Sequence, residues 1–143
     1  MNIVYIMRGV PGSGKTRIAR ELSGRIGRIH STDGYFYRNG KYCFDKKFLT
    51  EYHRLNFEAF CQSLKENQPI VICDNTNIRR SSYQHYIDAA QKAGYEVRII
   101  ERPHPNPKLA AANNIHGVPE AVIRRMIHHW EPSNIPTELC HRA

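Results

Sequence analysis

The run Gly9-Val10-Pro11-Gly12-Ser13-Gly14-Lys15-Thr16 directly follows a short apolar stretch, Ile3 to Met7, and no other feature of the chain restricts its fold so tightly. A strand must deliver the chain into a glycine-rich turn, and a helix must carry it away. The spacing G-x-x-x-x-G-K-[ST] is that of a phosphate-binding loop, and each part has a mechanical reason. Gly9, Gly12 and Gly14 let the backbone curl until successive N–H groups face phosphate oxygens. Lys15 brings a point charge to the β- and γ-phosphates, and Thr16 brings a hydroxyl to Mg²⁺. The helix that starts here turns its positive end to the anion. A nucleoside triphosphate is therefore the first expected ligand, held by Gly9, Pro11, Gly12, Ser13, Gly14, Lys15 and Thr16.

A chain of 143 residues suits one compact domain. No apolar run approaches the roughly 18 residues of a membrane span, and the N-terminal stretch lacks the pattern of a signal peptide. A cytoplasmic protein without a membrane partner is expected. Cys43, Cys61, Cys73 and Cys140 are widely spaced with no C-x-x-C pair, and the adjacent His128-His129 lack the spacing that metal ligands on a helix favour. The net charge of +8 attracts polyanions, so it favours a nucleic-acid partner, although the basic residues are spread along the chain.

After the loop, Ile18, Ala19 and Leu22 mark a helix that stops near Gly24, and a short strand follows over Arg28 to Ser31. From Tyr35 to Lys47 the chain is Tyr-rich, and Asn39-Gly40 signals a tight hairpin turn in an excursion from the core. Phe48, Tyr52, Leu55, Ala59, Phe60 and Leu64 recur at helical spacing, and Asn67 and Pro69 end that helix. Ile70 to Cys73 is continuously apolar, as expected of a central parallel strand. Ser81 with Gln84 resembles a capping box, followed by an apolar stripe at Tyr83, Ile87, Ala90 and Ala93 that Gly94 closes. Tyr95 to Glu101 reads as a fourth strand. A short polar helix over Lys108 to about Asn114 precedes a last helix opened by Pro119, with Val118, Val122, Met126 and Trp130 as its buried face. Alternating strands and helices imply a parallel sheet of about four or five strands with helices on both faces.

In such a sheet, ligands bind beyond the carboxyl ends of the strands. Asp33, at the end of the second strand, suits a general base that takes the proton of an acceptor hydroxyl, and equally suits a turn beside Gly34. Asp74 ends the apolar strand where a carboxylate can hold a Mg²⁺-bound water. Asn75 and Asn77 have two roles open to them, satisfying loop backbone or touching substrate.

Together, Gly9 to Thr16, Ser31-Thr32-Asp33-Gly34-Tyr35-Phe36, Asp74-Asn75-Thr76-Asn77 and His116-Gly117-Val118-Pro119 resemble the polynucleotide-kinase-type P-loop family. The likeness runs from Ile3 to about Glu131. It implies an α/β, single-domain P-loop fold over residues 1–143, with a short lid over about 103–119 and a tail at 132–143. It also implies a kinase that moves the γ-phosphate of ATP or GTP, with Mg²⁺, to a hydroxyl, for which a nucleic-acid 5′-OH is the best-known acceptor. Asp33 falls at the family's base position, Lys15 at its phosphate-binding lysine, Thr16 at its Mg²⁺ hydroxyl and Asp74 at its strand-ending aspartate. The lid departs from the pattern. Relatives commonly carry Arg-Asn-x-His-Gly-Val-Pro, where this chain has Asn113 in the place of the arginine.

A transition-state arginine is worth about 10³ to 10⁵ in rate, so either His116, Arg124 or Arg125 replaces it, or the domain binds nucleotide with little turnover. Arg124 and Arg125 also read as a solvated helix face. Tyr35 and Arg38 are substrate candidates, because Arg38, Lys41, Lys46 and Lys47 interleave with Tyr35, Phe36, Tyr37 and Tyr42 in a pattern that holds phosphates and stacks bases. A packed aromatic cluster under a solvated loop is the alternative. A small-metabolite kinase is the remaining rival. The loop itself gives the first prediction: Lys15→Ala abolishes triphosphate binding or turnover, measured by calorimetry with ATP and GTP, and unchanged affinity and activity would refute the loop's assignment.

Overall fold

Within Ile3–Arg8, the first strand (β1), successive side chains alternate between two apolar layers: Val4 and Ile6 enter one, Tyr5 and Met7 the other. Both faces of the sheet are therefore covered. The computed structural model describes residues 1–133 and 135–139. After β1 come α1 (Lys15–Ser23), β2 (Arg28–His30), a 3₁₀ turn at Thr32–Phe36, the hairpin β3 (Tyr37–Arg38) and β4 (Lys41–Tyr42), and a second 3₁₀ turn at Lys46–Phe48. The chain continues through α2 (Leu49–Lys65), β5 (Ile70–Asp74), α3 (Arg80–Lys92), β6 (Glu96–Glu101), α4 (Pro107–Asn113), α5 (Glu120–His128) and β7 (Thr137–Leu139).

The main sheet has the order β2-β5-β1-β6-β7, and every pairing is parallel. Met7 stands opposite Asp74 and His30 opposite Cys73, so β1, β2 and β5 end along one edge. α2 and α3 pack Phe60, Leu64, Tyr83, Tyr86, Ile87 and Ala90 on one face. α1 covers the other with Ile18 and Ala19. Each large apolar side chain buried this way contributes about 1.5–3 kcal/mol.

Asn39 and Gly40 turn the β3–β4 hairpin with φ of 51° and 79°, the two positive values that a tight hairpin of this kind requires. Four expectations change. First, no capping box forms at Ser81 and Gln84: α3 starts two residues earlier than that box requires, at Arg80, and the Arg80 N–H donates to the Glu131 carboxylate at 2.9 Å, so a distant acid does the capping. Second, Tyr86 is buried on α3 while Ala93 is exposed. Third, the fully buried residue of α5 is Ile123, between α4 and the loop residue Val10; the expected Val118, Met126 and Trp130 pack around it partly buried, while Val122 lines a cavity. Fourth, the tail contributes β7 along the edge of β6. Cys140 lies outside the described residues.

The last residue of β1 is a buried arginine. Arg8 donates Nε–H to Asn77 O at 2.8 Å, Nη1 to Glu101 Oε1 at 2.7 Å, and Nη2 to Ile78 O at 2.9 Å and Glu131 O at 2.7 Å. Its guanidinium lies 4.8 Å from the centre of the Tyr83 ring and 4.2 Å from that of Trp130. Truncation would leave the Glu101 carboxylate and the Asn77 and Glu131 carbonyls without the arginine donor, with Ile78 O keeping only the Glu131 N–H. Arg8→Ala is expected to cost about 3–5 kcal/mol, the scale for breaking a buried ion pair. Urea denaturation monitored at Trp130 checks this, and a loss below about 1 kcal/mol, the worth of a surface pair, would show that the contact is not structural.

Candidate active site

The phosphate loop is held in shape before any ligand arrives. Gly12 and Gly14 take φ of 82° and 89°, and a Cβ at Gly12 would come within 2.9 Å of the Ala110 side chain on α4. No larger residue fits there. Gly9 N–H donates to Thr76 O at 3.1 Å, and Arg102 donates Nε–H to Ser13 O at 2.8 Å. The buried Ser13 hydroxyl has no hydrogen-bond partner among the described residues.

Asp74 grips the two chemical residues of the loop. Its Oδ2 accepts from the Thr16 hydroxyl at 2.9 Å, and its Oδ1 lies 3.4 Å from Lys15 Nζ, an ion-pair contact outside hydrogen-bond geometry. A hydroxyl, a buried carboxylate and a lysine at the mouth of a helix are a donor set that fits a Mg²⁺–triphosphate. Above them lies a cavity of about 290 Å³, floored by residues 10–16, flanked by Arg17 and Arg20, and roofed by residues 113–116.

A second cavity, of about 430 Å³, adjoins it, and Pro11 and His116 line both. At its polar end stands Asp33. Asp33 Oδ1 accepts from the Tyr42 hydroxyl at 3.0 Å, and Oδ2 lies 3.5 Å from His116 Nε2. The Tyr42 ring leans on His116 at 4.2 Å between centroids. Burial, then the nearby Asp33 charge, holds the Tyr42 hydroxyl in its protonated form, with its pKa above the usual value. Burial pushes His116 below the ordinary histidine value, with Asp33 opposing. Two further contacts fix the turn that carries Asp33: the Thr32 N–H donates to Asn75 Oδ1 at 2.9 Å, and the Thr32 hydroxyl meets His53 Nδ1 at 3.0 Å.

The sequence candidates separate. Lys15, Thr16, Asp33 and His116 line the two cavities, Asn113 lines the first, and Asp74 lies beneath it in contact with Lys15 and Thr16. Asn77 is committed to the loop backbone: its Nδ2 donates to Met7 O at 2.7 Å, and its own carbonyl accepts from Arg8. The Asn75 Oδ1 is committed in the same way, although the residue still lines the second cavity.

Arg124 donates to Glu120 at 2.7 Å on the outer face of α5, and Arg125 faces a third cavity. Neither belongs to the phosphate cavity. Tyr35 and Arg38 meet Tyr52 instead, in an aromatic cluster built on buried Phe36, and they line neither of the two cavities. Arg102, Arg17 and Arg20 escape a sequence reading. Arg17 and Arg20 lie one helical turn apart directly after the loop, a spacing that would have flagged them.

A family model described as an AAA domain matches residues 4–132. The chain belongs to this family, AAA_33. It is 38% identical over 135 residues to NEDD4-binding protein 2 of Homo sapiens, a match that covers 90% of this chain and 8% of that protein. Among solved structures, the gluconokinase of Sinorhizobium meliloti 1021 superposes with a TM-score of 0.63 at 13% identity, covering 96% of this chain and 81% of that one. A chain of the Pnkp1/Rnl/Hen1 RNA repair complex superposes with a TM-score of 0.67 at 16% identity, covering 90% and 43%. At these identities the likeness is one of fold, and the fold is that of the P-loop kinases. Among the described residues, no helix is long and apolar enough to cross a membrane.

Burial lowers the pKa of His30, His53, His85 and His116 alike. Below the unfolded value of about 6.5 the unfolded chain therefore binds more protons than the native one, and stability falls with pH. The urea midpoint is expected to drop as pH goes from 7.5 to 5, with a shallower drop in His30→Gln. A flat profile would contradict the burial of these rings.

Proposed function

We propose that this domain transfers the γ-phosphoryl group of ATP or GTP to a hydroxyl, most readily a nucleic-acid 5′-hydroxyl. The observation that carries this reading is the meeting of the two cavities at Pro11 and His116, with the phosphate loop in one and the Asp33 carboxylate in the other. A hydroxyl seated in the second cavity has its proton beside Asp33 and its lone pair turned toward the first. Asp33 accepts that proton as the oxygen attacks phosphorus, and the loop N–H groups and Lys15 hold the phosphates in line. Mg²⁺ would be held by Thr16 and, through water, by Asp74, and would neutralise charge on the phosphate oxygens.

The nucleic-acid acceptor is supported by the charge of +8 and by the β3–β4 excursion beside the second cavity. There Arg38, Lys41, Lys46 and Lys47 accompany exposed Tyr37, Phe44 and Phe48. Such a surface suits a flexible polyanion with flat bases. A nucleotide-binding module with little turnover is the second reading. It is favoured by Asn113, which brings no charge to the roof where relatives carry arginine.

Incubation with γ-labelled ATP or GTP and 5′-hydroxyl DNA, RNA or a metabolite panel separates these readings by what becomes labelled. Asp33→Asn is expected to keep triphosphate affinity and to lose transfer by about 10²-fold or more. Transfer that persists in this variant would reduce Asp33 to a turn residue, and label found only in metabolites would make the domain a small-molecule kinase.

A further inference from the structure

The third cavity, of about 340 Å³, lies directly behind the second, and His53, Asn75, Thr76, Val122 and Met126 line both. The two cavities share this wall and differ in chemistry at their outer ends. Around the far end stand Arg79, Ser82, Arg125 and His129, and among the described residues no aspartate or glutamate lines it. These residues come from two directions: Arg79 precedes α3 and Ser82 lies in its first turn, while Arg125 lies on α5 and His129, one turn further on, is the residue that caps its end.

The adjacent arginines of α5 show how the charge is directed. Arg124 is tied to Glu120 at 2.7 Å on the outside of the helix. Arg125 lines the cavity and has no ion-pair partner among the described residues. Arg79 meets Glu131 Oε2 at 3.6 Å, but both side chains are about half exposed, and an ion pair of that kind contributes little. Glu131 has a second commitment through Oε1, which caps α3 at Arg80. The guanidinium of Arg79 is therefore only loosely held.

We propose that the third cavity is an anion subsite for a phosphate carried by the acceptor molecule, one linkage removed from the hydroxyl that faces Asp33. Two guanidinium groups and a serine hydroxyl supply the planar and single donors that phosphate oxygens accept. Val122 and Met126, shared by both hollows, cover the apolar body between the two polar groups. The identity of that neighbouring hydroxyl rests on the phosphoryl-transfer reading above, whereas anion binding here does not depend on turnover. The phosphate belongs either to a nucleic-acid backbone or to a phosphorylated small sugar, and both present the same oxygens.

The test is calorimetric, on the full chain at low salt, with two matched pairs: adenosine 3′-monophosphate against adenosine, and ribose 5-phosphate against ribose. The phosphate is expected to tighten binding about tenfold or more in at least one pair, as charge-assisted bonds to arginine do. Arg125→Ala should remove most of that gain, and Arg125→Lys should restore part of it, while affinities for the unphosphorylated partner and for ATP stay as they are. A gain in the nucleotide pair assigns the phosphate to a nucleic-acid end, and a gain confined to the ribose pair assigns it to a metabolite. The subsite is overturned if neither phosphate tightens binding, or if the gain survives both Arg125→Ala and Arg79→Ala. Loss of ATP binding or of label transfer in the parent protein would count against the phosphoryl-transfer reading instead.

Discussion

Arg8 has no exposed surface, and four separate stretches of chain end on it: the carbonyls after β5, the Glu101 carboxylate that ends β6, the ring of Tyr83 on α3, and the Glu131 carbonyl with Trp130 beyond α5. Removing a guanidinium from water is costly, and burial accordingly lowers its pKa despite the neighbouring carboxylates. Acceptors on several sides offset that cost, and an arginine offers a fixed fork of donors where a lysine offers a point charge. The next residue is Gly9. Because Gly9 N–H is bonded to Thr76 O, and Arg8 O accepts from Arg102 N–H at 2.9 Å, the entrance to the phosphate loop is fixed from the β5 side and the β6 side together. The loop's curvature comes from its glycines, but its position in the molecule comes from Arg8.

Asp74 does the corresponding task at the loop's exit. It is nearly fully buried, and a buried carboxylate without a partner would be strongly destabilising. Lys15 and Thr16 provide the partners, so the two polar residues at the end of the loop are held in fixed positions at the floor of the first cavity. The arrangement is preorganised by mutual need: the lysine, at 9% exposure, also needs the carboxylate. In the phosphoryl-transfer reading proposed above, a triphosphate with Mg²⁺ would supply new partners to all three groups at once, with little reorganisation of the loop.

The parts of this architecture that were legible in the sequence are the local ones. The phosphate loop, the continuous apolar run of β5, the Asn39-Gly40 turn and the ends of α2 and α3 are each written within about ten residues, through backbone conformation or periodicity. What escaped the sequence reading is long-range and polar. Arg8 looks like a surface residue ending a strand, until partners from Asn77 to Glu131 close around it. The cap of α3 comes from Glu131, so Ser81 and Gln84 mimic a capping box that the chain does not use. Helical spacing does not single out Ile123, because its neighbours are also apolar, and only the packing of α5 on α4 makes it the fully buried one against Val10 and Ala110. The site followed the same division: Lys15, Thr16 and Asp74 sit within motifs, whereas the Tyr42–Asp33–His116 contact joins a hairpin, a turn and the lid.

That contact changes how the missing lid arginine is to be understood. Asn113 brings no charge to the roof of the phosphate cavity, and Arg124 and Arg125 are turned to other surfaces. The cationic side chains lining the cavity are Lys15, Arg17 and Arg20, all from the loop and the first two turns of α1. His116 is the roof's only titratable contribution, and burial keeps it toward the neutral form. Positive charge thus reaches this cavity from below, through the first helix, while the roof supplies shape and the His116 ring, which also lines the second cavity. There the ring rests against Tyr42 and lies 3.5 Å from the Asp33 carboxylate, so the two cavities meet at an uncharged imidazole rather than at a guanidinium.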